Sequence, residues 1–503
     1  MLSIIKSMAI TGIKGDVILV QVDVSAGLPY FEIIGLPDTT VRESKERVRV
    51  AIKNSGYDFY SKRVIVNLAP ANTKKIGSIF DLPIAVGILV SIGIIKKLNF
   101  NDYVIIGELS LDGKIRKIKE ALAICIEMKK QGIKNIILSK ENQEELKIID
   151  GINIYPVTEL KEVVDFFNGD VCIEKMKNKN ICDLKENENQ IDFSDIYSQE
   201  RAKRALEIAA AGGHNCLLIG PQGTGKTMLA QRIQTILPEL SIDEFLEVAK
   251  INSLYSENYN FTLKRPFRAP HYTISEKGLI GGGDILKPGE ITLANYGVLF
   301  LDELSEFKSS ILELLRTPME DKQICISRVK TKIIYPSNFI LIAAMNPCRC
   351  GYYGSDVKKC ICTVQSRKKY LEKISGPLLD RFDLFVEVPY IEIYELNKKD
   401  AETSKVIKER VMAARKIQIS RSKKYNVRIN AELNNKQIED VCKLSLEAKK
   451  MLEECYSKLQ ISARAYQKII KVARTIADLE AQENIEVKHI AEAIQYRRRE
   501  ESK

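Results

Sequence analysis

The chain has no apolar run long enough to cross a bilayer. Its most apolar stretch, Leu82 to Ile95, is interrupted by Pro83, Gly87 and Gly93 and falls short of the roughly 20 residues that a spanning helix needs. Self-similarity at periods of about 20–50 residues is also missing, which excludes a solenoid or a propeller. The start, MLSIIKSMAITGIKGDV, has neither the apolar core nor the small-residue cleavage site of a secretory signal. The expectation is a cytoplasmic protein with reduced thiols and no membrane partner. Of the 11 cysteines, Cys125, Cys172, Cys182, Cys216, Cys325, Cys442 and Cys455 stand alone and read as single thiols. Acidic residues are in deficit: 77 Lys and Arg against 66 Asp and Glu give a net charge of +11 and a pI of about 8.9. That surplus suits an acidic partner such as nucleic acid, but charge alone speaks only to non-specific attraction.

What is present is a chain of 503 residues, 45% hydrophobic and 28% charged, enough for a large core and for about two to four domains. Residues 1–167 alternate strand and helix patterns. GDVILVQVDVS has period-2 apolar alternation, and RVIVNLAP and KNIILS read as further strands. In PDTTVRESKERVRVAIKNSG, Thr40 and Glu43 form a capping box, and Val41, Val48, Ala51 and Ile52 share one helical face. The segment from Asn54 to Gly56 ends that helix. DLPIAVGILVSIGII reads as a buried helix. Residues 168–190 are polar and rich in Asn, Lys and Glu, as an interdomain linker would be. From 191 to 395 the strands CLLIG, GVLFLDE and NFILIAAMN are almost wholly apolar, the mark of a parallel sheet covered on both faces. Residues 396–503 read as helical.

The most informative stretch is CLLIGPQGTGKTMLAQRI, in which Gly220, Gly225, Lys226 and Thr227 match G-x-x-x-x-G-K-[ST] between a strand and a helix. A loop Gly220-Pro221-Gln222-Gly223-Thr224-Gly225 of this kind turns successive backbone N–H groups inward around phosphates, and the helix N-terminus adds positive potential. Lys226 then reaches the outer phosphates of ATP, and the Thr227 hydroxyl ligates Mg2+. A second apolar strand ends in Asp302-Glu303. Beside a phosphate loop, Asp302 is placed to hold Mg2+ and Glu303 to activate the attacking water. Taken alone, the pair would be an ordinary solvated strand end. A third strand delivers Asn346, which either positions the lytic water or merely turns the chain before Pro347. Arg381 and Arg464 are candidates for a guanidinium that stabilises the terminal phosphate, often from a neighbouring subunit. The alternatives are an ion pair of Arg381 with Asp380 or Asp383, and a solvated helix face for Arg464.

Cys348, Cys350, Cys360 and Cys362 form two C-x-C pairs around a turn-rich interval, GYYGSDVKK. Four thiolates can close a tetrahedral Zn2+ site in a loop spanning 346–364; the alternative is a set of reduced thiols. Lys358, Lys359, Arg367, Lys368 and Lys369 flank it. Arg328, Lys330 and Lys332 sit in ISRVKTKIIYPSN, which reads as a β-hairpin that would meet phosphates without reading sequence. A solvated charged face is the plainer account of both groups.

The phosphate loop, LFLDE, AAMNPC, LLDRFD and SARAYQKIIKVARTIADL occur together in magnesium-chelatase-like AAA+ proteins, and the chain most resembles their ComM/YifB branch. RALEIAAAGGHN, RPFRAPHYTISEKGLIGGG and PGEITLANYGVLFLDEL carry the likeness further. Departures are Gln222 for a second proline, Tyr272 after His271, and Asn295-Tyr296 before Gly297. They leave a pore-lining role for His271, Tyr272 and Gly281 to Gly283 open beside a structural one. Residues 1–167 resemble the Lon-protease, or S5-like, fold through GELSLDGKIRKIKEAL and NIILSKENQEEL. Ile79 and Leu122 stand where Lon has its serine and lysine, and Ser78 is one position off, so the resemblance is to a non-proteolytic domain. The implied fold is α/β: an AAA+ P-loop core at 191–395 with a helical lid at 396–503, preceded by an S5/Lon-like domain. The implied activity is that of a hexameric ATPase moving single-stranded or branched DNA, with branch migration of recombination intermediates as the task and recombination proteins as partners. A chelatase-like remodeller of a protein partner is the alternative, and an ATP-dependent protease the least favoured.

Overall fold

The computed structural model describes residues 2–58, 62–71, 74–96, 102–177, 191–256, 259, 261–283, 287–328, 331–354, 358–390, 401–458 and 462–497. Cys182, Lys330 and, of the basic run Arg497-Arg498-Arg499 near the end of the sequence, Arg498 and Arg499 lie outside them. The chain divides into two compact units, one of residues 1–185 with 246–261 and one of residues 186–245 with 262–503. Residues 246–261, expected within the core of the second unit, therefore belong to the first.

The first unit opens on a long antiparallel pair, Leu2–Thr11 with Lys14–Ala26, in a four-stranded sheet completed by Lys62–Ala69 and Tyr30–Ile34. Alternating burial along Lys14–Ala26 matches its period-2 sequence. The helix Thr39–Asn54 buries Val41, Val48, Ala51 and Ile52. Its cap is Asp38, not the expected Thr40 and Glu43. Asp38 lies in extended backbone after Pro37 and accepts the Val41 N–H at 2.8 Å and the Gly77 N–H at 3.4 Å, so the helix begins before Thr40 is reached. The helix Asp81–Ser91 is buried along its whole length. A parallel three-stranded sheet is built from Tyr103–Ile105, Asn135–Ser139 and Asn153–Val157. Of the segment expected as a linker, residues 168–177 are described, and there Met176 is buried and donates its N–H to Ile154 O at 2.9 Å. Ile79 and Leu122 are buried apolar side chains, and the Ser78 hydroxyl bonds to Glu108.

A five-stranded parallel sheet organises the second unit, in the order Phe267–Arg268, Val298–Leu301, Ile340–Met345, Cys216–Ile219, Leu384–Glu387. The strand that enters the phosphate loop is thus flanked by the strand of Asn346 and by the strand after Arg381. Ile340–Met345 and Val298–Leu301 are buried at every position, as uniformly apolar strands between helical layers must be. The hairpin expected in ISRVKTKIIYPSN forms from Gln323–Arg328 and Thr331–Pro336, and Lys332 is exposed on it. Beyond residue 400 the regular elements of the described residues are all helical. The helix Ala463–Leu479 buries Ile469, Val472, Ala473 and Ile476 against the core that also holds Ala205, Leu206 and Cys216.

Candidate active site

Hydrogen bonding within the parallel sheet brings the ends of three strands together. Gly220 N–H, at the start of the loop, donates to Met345 O at 3.2 Å, which sets the loop beside Asn346. Gly220 must be bare, because an added Cβ would lie 2.2 Å from Val388 O. Gly223 and Gly225 have positive φ of 83° and 81°, and nothing lies within 4 Å of where their Cβ atoms would be. The loop is therefore an open concave cradle, and its conformation favours glycine. The helix Lys226–Ile236 starts directly behind it.

Lys226 is 8% exposed, and its Nζ donates to Gly220 O at 2.8 Å, Pro221 O at 2.6 Å and Asn346 Oδ1 at 3.2 Å. All three donors of the ammonium are thus spent on neutral oxygens. Burial pulls the Lys226 pKa down, while the fields of Asp302 and Glu303 act to raise it. A buried cation with no bonded carboxylate is the arrangement that an anionic phosphate would complete. Thr227 Oγ1 donates to Asp302 Oδ2 at 2.6 Å, so a hydroxyl and a carboxylate suited to Mg2+ meet at one point. Glu303 is exposed with φ of 51°, a conformation uncommon for a residue with a Cβ, and its N–H donates to Asp302 Oδ1 at 2.9 Å. Loop, Lys226, Thr227, Asp302 and Asn346 form one bonded group, and Glu303 is tied to it through Asp302. ATP and Mg2+ would be held by these residues.

Arg381 and Arg464 are not at that group. Arg381 O accepts from Asn215 Nδ2 at 3.1 Å, and Asn215 immediately precedes the strand Cys216–Ile219, whose other end opens into the phosphate loop. Arg381 thus sits at the far end of the strand from Lys226. Its expected alternative partners, Asp380 and Asp383, do not take it either. Glu320, on the short helix Arg316–Asp321, accepts from Arg381 Nη2 and, at 2.7 Å on the same oxygen, from Arg464 Nη2. The Arg381 bond, then the charges of both arginines, hold the Glu320 carboxyl below its ordinary range against a burial effect of opposite sign. Arg381 Nη1 also donates to Pro377 O at 2.7 Å. The two arginines, 83 positions apart in sequence by their numbers, are companions in space.

Cys348, Cys350, Cys360 and Cys362 bring their sulfurs within 4.8 Å of one another, with Cys348 buried. His271 is exposed, with Nδ1 2.8 Å from Thr273 Oγ1 and its ring 4.1 Å from that of Tyr272. Several site-shaping residues carry no signal in the sequence. Asn215 spans three strands: its Oδ1 accepts from Leu341 N–H at 2.8 Å, and its N–H donates to Asp383 Oδ2 at 3.1 Å. Tyr370 meets the Ser305 hydroxyl two residues beyond Glu303. Glu320 and these two are single polar residues in ordinary contexts, and only their partners mark them.

A five-stranded parallel sheet with this loop, this acidic strand end and this lid defines a P-loop ATPase of the magnesium-chelatase class. The family described as magnesium chelatase, subunit ChlI, matches residues 192–396, its C-terminal part matches 401–497, and the family described as subunit ChlI of Mg-chelatase matches 20–142. The chain is 44% identical over 500 residues to the YifB protein of Escherichia coli, covering 99% of this chain and 97% of that one. It is 42% identical over 504 residues to the competence protein ComM of Haemophilus influenzae, again covering 99% and 97%. The magnesium-chelatase 38 kDa subunit of Rhodobacter capsulatus is 27% identical over 230 residues, 42% of this chain and 57% of that one. The protein belongs to the ComM/YifB family of magnesium-chelatase-like proteins. No helix among the described residues is long and apolar enough to cross a membrane.

Proposed function

We propose that the protein is an ATP-driven motor that assembles as a ring, a hexamer, and moves DNA through branched recombination intermediates in the cytoplasm. Within the site, Lys226 and the loop N–H groups bind the phosphates, Thr227 and Asp302 hold Mg2+, Glu303 takes the proton of the attacking water, and Asn346 positions that water. Arg381 and Arg464 reach the terminal phosphate bound by the neighbouring subunit. The observation that carries the ring is their location: both arginines are gathered on Glu320 at the far end of the strand from Lys226, so a second copy is needed to bring a guanidinium to the phosphates.

Support for DNA is of a different kind. The chain carries a net charge of +11 and exposes Lys332 on the hairpin Gln323–Arg328 and Thr331–Pro336, and it is 42% identical to a competence protein over nearly all of its length. The test is ATP hydrolysis by the full chain with and without forked and four-way DNA, together with remodelling of those junctions. Stimulation and remodelling are expected, with binding that weakens steeply between about 50 and 200 mM salt, because phosphate contacts release counterions. Turnover indifferent to every DNA would favour the alternative, a chelatase-like ATPase that acts on a protein partner.

A further inference from the structure

We infer that Cys348, Cys350, Cys360 and Cys362 bind a single zinc ion, and that the loop so closed braces the phosphate loop and Asn346 for hydrolysis. The metal site stands on its own geometry, and only the bracing role rests on the ATPase reading above. The sulfur separations are 3.4 Å for Cys348 and Cys350, 3.6 Å for Cys348 and Cys360, and 3.5 Å for Cys350 and Cys360. Four sulfurs around a tetrahedral zinc, with bonds of about 2.3 Å, stand roughly 3.8 Å apart. These three sulfurs are thus within a few tenths of an ångström of three corners of a tetrathiolate cage, and the Cys362 sulfur lies within 4.8 Å of each of them. A disulfide would draw one pair to about 2.05 Å and leave the remaining sulfurs behind, and all four thiols are free.

The surroundings suit thiolates. Tyr352 and Ile361 donate their N–H groups to the Cys350 sulfur, and Cys362 N–H donates to the Cys360 sulfur at 3.4 Å. Such bonds orient a ligand and offset its negative charge. Gly351, with φ of 83°, turns the chain between the pairs, and its N–H donates to Cys348 O at 3.0 Å. Binding zinc converts the thiols to thiolates with loss of their protons and leaves a net double negative charge at the centre. Arg349 lies between the first two ligands and Lys359 precedes the third. Lys358 stacks on Tyr352 at 4.9 Å and Arg367 on Tyr353 at 3.9 Å. Iron would accept the same cage, and metal analysis separates the two.

Three connections run from this cage to the nucleotide site. Cys348 follows two residues after Asn346, which bonds Lys226. A Cβ on Gly351 would lie 3.8 Å from Gln222 Cβ and 3.9 Å from Gln222 N, so the turn packs directly on the phosphate loop. Thr363, next to Cys362, caps the helix Val364–Leu371, whose Tyr370 holds Ser305 beyond Glu303. One ion therefore fixes the positions of the loop, the polar strand end and the acidic turn together.

The test begins with elemental analysis of the full chain purified without chelators, where about one zinc per chain and no iron is expected. Well under half a zinc per chain, or iron in its place, overturns the metal assignment. This measurement needs no variant and so survives any failure of Cys350→Ser or Cys362→Ser chains to fold. Stripping the metal with a mercurial and a chelator should lower DNA-independent ATP turnover by about tenfold or more, and adding zinc chloride should restore it. Complete zinc removal with unchanged turnover overturns the brace. A zinc-loaded chain that never hydrolyses ATP sinks the ATPase reading and leaves the metal site standing.

Discussion

Lys226 has no bonded carboxylate although it is buried, and its ammonium is held by main-chain carbonyls and Asn346 alone. Desolvation of that charge is unfavourable until an anion enters, so the lysine is poised to bind phosphate rather than to stabilise the empty fold. Lys226→Ala should therefore lose ATP binding in a fluorescent-nucleotide titration while the fold is kept. Glu303→Gln should retain binding and lose turnover by roughly 100-fold, because the amide cannot take a proton from water. Glu320 is the less obvious residue. Its one carboxyl orients both guanidinium groups, so Glu320→Ala should lower kcat by roughly 10- to 100-fold with KM for ATP and subunit binding of ATP unchanged. A rise in KM with unaltered kcat would place Glu320 at its own nucleotide instead.

At the scale of elements, the position of Arg381 is set by how the strand Leu384–Glu387 starts. Asp383 N–H donates to Asn215 O at 2.9 Å, and Asp383 Oδ2 accepts the Asn215 N–H at 3.1 Å, with Lys468 at 3.5 Å and His214 at 3.6 Å. Burial alone would push the Asp383 carboxyl up, yet Lys468, His214 and the Asn215 N–H hold it well below the ordinary aspartate range. The folded state therefore binds its proton more weakly than the unfolded chain does. Its contribution is complete above about pH 5 and falls away as the pH drops through about 4 towards the folded value. Asp383→Asn should destabilise the second unit by about 3 kcal/mol at pH 7, since Lys468 is left half-buried without its partner. The gap between the two chains should narrow on acidification. Urea midpoints at pH 7 and pH 4 measure both, and a gap that widens in acid contradicts the assignment.

For the whole molecule, the separation of Lys226 from Arg381 and Arg464 would, in the ring proposed above, make each nucleotide site a shared property of two subunits. Lys226→Ala and Arg381→Ala chains should each be inactive alone. Mixed in equal amounts they should recover turnover, because some interfaces then join an intact loop to an intact arginine pair. Co-assembly without any recovery at all mixing ratios counts against the shared site.

The parts that the sequence determined are those whose chemistry is contiguous. The phosphate loop, the Asp302-Glu303 strand end, Asn346 at the end of an apolar strand and the paired cysteines each declare themselves within a few residues. Unbroken apolar runs likewise announce the parallel sheet and the helix Asp81–Ser91. Tertiary structure alone decided the rest. Asp38 displaced Thr40 as a cap because its carboxylate also reaches Gly77, a residue brought near by the fold. Residues 246–261 joined the first unit through contacts such as the 2.6 Å pair of Lys250 with Glu127, which lie far apart along the chain. Arg381 and Arg464 met on Glu320 rather than at Lys226 for the same reason. A charge or a hydrogen-bond donor has no partner written into its own neighbourhood, and which distant group satisfies it is settled only when the chain packs.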